Sequence, residues 1–527
     1  MLFSCARVGA PNGGTRDSLA PKFLGSNIDT TRLNVSRTVK ELRLDFDEYV
    51  MLKDFNKNFN VSPPIKKIKK VIPSNLANKY VLIQWEDTLQ ANTTYNFNFG
   101  NAIVDNNESN PLPYFNFAFS TGDKIDDLFV SGTVKDAMTL IKENQTAKDN
   151  KMVVGLYKAG ENLDYKQKPD YITKVDEENY FELNFLPKGE FVIIAFDDEN
   201  QNSVYDAGKE KVSFLKEKIT LDSTSVRGLK LKLYPSKKVV KYKESKAING
   251  GLLMTFEGNP ETVEVKSLSE DLKDFKVTHA KRSDSVNIWF DAEKSNLGGT
   301  VSKQLKLSYF TPTISDTISV SYKAVKDEFK LSNEAGNLIA PENNFEINTS
   351  LPIENLNTSS WKLESDSIAQ DFTAKISEKN PFKILVNSSF KPTKKYVLTI
   401  PKETVSSYYS SNDKSFQFQF EIDKPENYGS FTAVIKNKPT AKFWVELTNE
   451  KGEILYSQFT NASEVSFKNL KPATYIARIR VDNNGNGFWD EADFAQNIAA
   501  EDVYIFEKEI NVRPLWEIKE DWELTNH

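Results

Sequence analysis

Short runs in which every second residue is apolar recur along the whole chain. "VKELRLDFDEYV" (39–50) places Leu42, Leu44 and Phe46 on one side, and "TTYNFNFG" (93–100) does the same with Tyr95, Phe97 and Phe99. "FNFAFS" (115–120) repeats the pattern with Phe115, Phe117 and Phe119. A period of two is that of a strand with one buried face. Between the runs lie turn-forming residues, such as Gly100 and the pair Asn106-Asn107. Strands this short and this evenly spaced predict β-sandwiches with few helices. The expected fold class is all-β, a tandem of sandwiches.

The pattern is also written twice. Residues 87–105 lie on residues 388–406 at an offset of 301, so that Leu89 meets Phe390, Tyr95 meets Tyr396, Phe97 meets Leu398 and Phe99 meets Ile400. The same offset carries Phe115, Phe117 and Phe119 onto Phe416, Phe418 and Phe420. A second unit repeats at an offset of 284: Leu186 aligns with Leu470, Phe191 with Tyr475, and Tyr205 with Trp489. At its start the offset is 299 (Ser131 to Ser430), so the second copy has shorter early loops, where surface connections tolerate change. Between the copies, "LLMTFEG", "VNIWFDA", "QLKLSYF" and "TISVSYK" read as strands of a further, divergent sandwich.

On these residues two resemblances rest. "KELRLDFDEYV", "DTLQANTTYNFNFGNAIVDNNESNPL" and "FNFAFST" resemble a bacterial Ig-like domain of the S-layer-protein type, with the usual hairpin Gly replaced within Asp105–Asn110. Residues 330–424 resemble it more weakly, the hairpin there reading "SSYYSSNDKS". The second unit, with its G-x-V start and L-P-x-G-x-F turn, is similar to transthyretin-like, carboxypeptidase-regulatory sandwiches. The expected modules are a lipoprotein N-terminus and flexible tether (1–20), an Ig-like domain (21–122), a transthyretin-like sandwich (123–235), the divergent sandwich (236–329), a second Ig-like domain (330–424) and a second transthyretin-like sandwich (425–527). As a whole the architecture resembles the Ig-like-domain lipoproteins of the Bacteroidota. Fold does not give function, so that likeness names an architecture only.

Composition narrows the chemistry. The 527 residues include 35 Phe and 20 Tyr, which favour strands. Charged residues make up 27% and the net charge is −6, so no basic footprint for nucleic acid is present. The two histidines, His279 and the terminal His527, leave little for His-based catalysis, and a single Cys excludes an intrachain disulfide or a Cys-based zinc site. An enzyme is therefore not expected. That one thiol, Cys5, follows Leu2-Phe3-Ser4, which resembles a lipobox; Phe3 and the missing charged and apolar leader regions depart from it. The resemblance implies lipidation of Cys5, a start upstream of Met1 or a trimmed signal, and anchoring at the outer membrane. In the lipoproteins it resembles, an acidic run after the Cys is the usual surface-export cue; none follows Cys5, so the resemblance implies the periplasmic face over the cell surface.

The lysine run "PPIKKIKKVIPS" (63–74) reads as an edge strand on which Lys discourages sheet-to-sheet association. The seven tryptophans alternate within strands for the most part and are expected in cores.

One motif remains. "FDDENQNSVYDAGK" (196–209) and "VDNNGNGFWDEAD" (481–493) carry the same Asp-x-Asn-x-Asn pattern and a following aromatic-Asp pair. Either the loop does chemistry or it marks the duplicated hairpin. As a metal loop the second is the more complete, with Asp482, Asn484, Asn486, the Phe488 carbonyl, Asp490 and Asp493 at positions 1, 3, 5, 7, 9 and 12 of a Ca²⁺ site. The first offers Asp198, Asn200, Asn202 and Asp206 but has Lys209 at position 12. As structure alone, such Asx side chains bond their own backbone. The functional expectation is a non-enzymatic, outer-membrane-anchored scaffold that binds an envelope protein or an assembly machine. The alternative is a glycan-binding lipoprotein, favoured where exposed Tyr or Trp line a groove.

Overall fold

The computed structural model describes residues 17–140, 151–160, 164–325, 327–334 and 336–524. Cys5, most of the expected tether and His527 lie outside them. Strands carry the fold. Among the described residues the helical pieces are Phe55–Asn58 and the 3₁₀ turns Thr358–Ser360 and Pro425–Asn427. No described helix is long and apolar enough to cross a membrane. By internal contacts the chain forms two compact units, one of residues up to Ser236 with Glu491–Ala500, the other of Lys237–Asp490 with the residues from Glu501 on.

In the first unit, strands Glu41–Leu52 and Asn78–Trp85 pair antiparallel in one sheet, and Asn60–Ser62, Thr94–Gly100 and Phe115–Ser120 form another. The period of two places Leu42, Leu44, Phe46, Phe97 and Phe117 in one core with Trp85. Ile68–Ile72 is the expected lysine-bearing edge strand. The hairpin that lacks its Gly is held by Asp105, whose buried carboxylate accepts the backbone N–H groups of Asn107, Glu108, Ser109 and Asn110. Burial alone would raise its pKa, but these four donors outweigh it and hold the group below the usual carboxylate range.

The next sandwich of this unit places Leu128–Asp136 between Tyr180–Leu186, antiparallel, and Val226–Leu233, parallel. Gly132 of the G-x-V motif is required by that close approach, since a Cβ there would lie 2.1 Å from the Leu229 carbonyl oxygen. The facing sheet contains Met152–Lys158, Tyr171–Lys174, Gly189–Asp197 and Val212–Phe214. Gly189–Asp197 buries both faces. Phe191, Ile193 and Ala195 join the sandwich core, while Ile194 and Phe196 pack with Tyr205, Phe214, Ala492 and Phe494.

The second unit contains three further two-sheet packings. Phe256, Ile288, Leu307 and Tyr322 lie in the first core, Phe345, Ile384, Leu398 and Phe420 in the second, and Phe431, Val445, Tyr475 and Trp522 in the third. Four tryptophans (Trp85, Trp289, Trp361 and Trp522) are buried as the alternation predicts, whereas Trp444 and Trp489 are half-buried and Trp516 is exposed. The repeat at an offset of 301 extends to single hydrogen bonds. Tyr95 accepts the backbone N–H of Gln90 through its hydroxyl at 2.8 Å, and Tyr396 accepts that of Lys391 at 2.8 Å, both at the offset of 301. His279 ends a strand, half-buried, with Nε2 3.0 Å from the Ser283 carbonyl oxygen.

Candidate functional site

The two Asp/Asn loops each leave the end of a long strand, Gly189–Asp197 and Ala473–Val481, and they share most of their hydrogen bonds. Asp198 accepts the backbone N–H groups of Asn202 and Ser203, each at 3.0 Å; Asp482 accepts those of Asn486 and Gly487, each at 3.0 Å. Asn200 and Asn484 donate through Nδ2 to Asp206 and Asp490. The fold turns left-handed at matching places, with φ of 72° at Gly485 and 80° at Gly487, and of 58° at Gln201 and 61° at Ser203. Gly reaches that region without a Cβ penalty; the first loop reaches it with side chains in place.

Sequence spacing missed the residue that closes each ring. Glu210 accepts the N–H groups of Glu199 and Asp206, and Glu501 accepts those of Asn484 and Asp490. Glu210 follows its loop directly, whereas Glu501 returns after the insertion 491–500, so no common spacing exists to find them. Burial pushes Glu210 up to about 7 against the pull of its two backbone donors, and it raises Glu501 in the same way. Asp493, expected at position 12, caps the Gln496 N–H and pairs with Ile498 within the 491–500 segment of the first unit.

Each loop also meets a neighbour inside its own unit. In the second unit Arg282 places Nη1 2.7 Å from Asp490 Oδ1 and Nε 2.5 Å from Glu261, with its guanidinium 4.7 Å above the Phe488 ring. In the first unit Phe494 packs on Tyr205 beside the first loop, and on Tyr165 and Phe214. The oxygens suit a hard cation by type, but Asp490 is engaged by Arg282, Asn484 and Asn486 together, and Asn486 Oδ1 accepts the Phe488 N–H. No group of three or more His, Cys, Asp or Glu among the described residues is placed to hold a metal ion. A Ca²⁺ at 482–493 would require the two amides to turn and Asp490 to leave Arg282. As they stand both loops lock their own turns, and Arg282 fastens the second to the neighbouring sandwich of its unit.

A second arrangement lies on the outer face of the sheet formed by Phe443–Thr448, Ile454–Thr460 and Ala473–Val481. Trp444 stacks on Phe459, centroids 4.4 Å apart at 27°. Below them Glu446, fully buried, accepts Arg478 Nε and Nη2 at 2.9 and 2.7 Å and Arg480 Nε at 3.0 Å. Two guanidinium groups on one carboxylate satisfy its lone pairs and fix both arginines. Arg480 then lies 5.9 Å from the Trp444 ring and 5.8 Å from Trp489. Phe459 remains exposed there, as do Ile454 and Leu455 at the other end of its strand.

The bacterial Ig-like domain family matches residues 17–121. No curated protein matches the chain. Among solved structures, the S-layer protein SbsC is similar at 11% identity, covering 94% of this chain and 67% of that one, with a TM-score of 0.15. The Bacillus anthracis TIE protein is similar at 12%, covering 97% and 76%, with a TM-score of 0.13. The major pilin subunit BcpA of Bacillus cereus is similar at 11%, covering 76% and 99%, with a TM-score of 0.13. Likenesses at these scores carry no argument about what this chain does.

Proposed function

We propose that the chain is a non-enzymatic, multi-domain scaffold that acts by binding an envelope protein or an outer-membrane assembly machine. The observation that supports this reading is the outer face around Trp444. Aromatic residues and Arg are the types enriched in the centres of protein interfaces, and they contribute most where they are rigid before binding. Here the Glu446 carboxylate holds Arg478 and Arg480 in place, and the Trp444–Phe459 stack stands on the same face, with Phe459 exposed. In this reading the Asp/Asn loops are structural and Ca²⁺ at 482–493 is weak and dispensable. Lipidation of Cys5 and a position on the periplasmic face of the outer membrane belong to the same proposal. Crosslinking from the Trp444 face, compared with crosslinking from the second loop, tests it.

A further inference from the structure

Within the first unit a groove of about 1310 Å³ opens between the outer face of one Ig-like sheet and the connection between Tyr171–Lys174 and Tyr180–Leu186. Its floor has unusual chemistry. The strands Asn60–Ser62, Thr94–Gly100 and Phe115–Ser120 turn their aromatic residues into the core, so the alternate positions face outward. In register, Asn60 stands opposite Asn98 and Asn98 opposite Asn116, a row of three amides across three strands. Asn is depleted in strands, and nothing in the sandwich core calls for it there.

The floor also holds unused hydrogen-bonding capacity. Oδ1 of Asn96, a residue only 9% exposed, and Oδ1 of Asn116 have no partner among the described residues, and both residues line the groove. Buried acceptors left unpaired are costly and uncommon, and they point to a donor brought from outside. On the rim stand two tyrosines, Tyr114 at 67% exposure and Tyr180 at 39%. The lining carries four lysines and six carboxylates, so no single-sign field selects a polyanion.

We propose that this groove binds an uncharged oligosaccharide. Asn98 Oδ1 already accepts the Gly100 N–H and Asn116 Nδ2 donates to the Tyr114 carbonyl oxygen; the donors and acceptors left on the row match vicinal hydroxyls, which are themselves donors and acceptors. The exposed tyrosine faces supply flat apolar surface for the C–H face of a pyranose ring. An anionic polymer would meet the carboxylates, and an apolar ligand would leave the amides unpaired. The site is independent of the Trp444 face, so it stands or falls separately from the scaffold reading.

The test uses the full chain and isothermal titration with three probes, chitohexaose, cellohexaose and maltohexaose, with polygalacturonate as the charged control. The expected result is one-to-one binding of at least one neutral hexasaccharide and none of polygalacturonate. Tyr114→Ala and Asn60→Ala should each weaken that binding about tenfold or more, with thermal melts unchanged. Trp516→Ala, which removes an exposed aromatic of the second unit, should leave it unchanged. If none of the three neutral probes binds at about 10 mM, a concentration that detects even the weakest affinities of interest, the proposal is overturned. It is also overturned if binding survives intact in a folded Tyr114→Ala, Asn60→Ala double variant, or if only polygalacturonate binds.

Discussion

Arg282 and Asp490 form an ion pair at 2.7 Å that fastens the second Asp/Asn loop to the turn of a neighbouring sandwich in the same unit. Both side chains are mostly buried, so the pair is not a solvent-screened surface bridge. Arg282→Ala should destabilise the second unit by about 1–3 kcal/mol, because it leaves a partly buried carboxylate without its cation. Asp490 owes its lowered pKa, against the effect of burial, to Asn484, Arg282 and Asn486. A depressed acid contributes stability above its unfolded pKa and loses it as pH falls through the folded one. The gap between wild type and Arg282→Ala should therefore narrow below about pH 4, as urea melts across pH would show.

Calcium separates the two readings of that loop. Because Arg282 occupies Asp490, Ca²⁺ should bind the wild type only weakly, Arg282→Ala more tightly, and Asp482→Ala least at this loop. Titration followed by thermal shift measures this order. A flat response in all three proteins would remove the metal reading and leave the lock.

Glu210 gives the first loop a pH response of opposite sign. Its folded pKa, pushed up to about 7, exceeds that of an unfolded glutamate, about 4.3. The stability it contributes is fully present below about pH 4 and is lost as pH rises through about 7. Between about pH 4 and pH 7 the wild type should lose stability that Glu210→Gln retains. Equal slopes for the two proteins would show that Glu210 does not titrate in this range.

The repeated tyrosines make a paired prediction. Tyr95→Phe and Tyr396→Phe should each cost about 0.5–1.5 kcal/mol, since each removes the acceptor of a backbone N–H, Gln90 in one copy and Lys391 in the other. Parallel chemical denaturation of the two variants checks whether the copies depend on the same bond.

Much of this fold is legible in the chain because its strands obey a strict period of two. Leu42, Phe97, Leu398 and Phe420 are buried where that alternation puts them. The tyrosine alignment at offset 301 held down to the hydrogen bond, because a buried hydroxyl must find a partner. The closing glutamates were not legible. Glu210 and Glu501 reach equivalent bonds from unequal distances along the chain, and only the fold brings each back. Nor was the role of Arg282, which lies far from the loop in sequence. The amide row of Asn60, Asn98 and Asn116 needs strand register, which apolar spacing within single strands does not supply.

The central claim is that the chain works by gripping an envelope protein with the Trp444 face. It is tested most directly by photocrosslinking in cells, with the full-length protein carrying the photoreactive residue at Phe459 or at Asn484. The account predicts one discrete adduct with an envelope protein from position 459. That adduct should disappear with Trp444→Ala and persist in an Asp482→Ala, Asp490→Ala double variant. An adduct formed only from position 484, or loss of the 459 adduct in a folded double variant, would contradict it and place the working site at the loop.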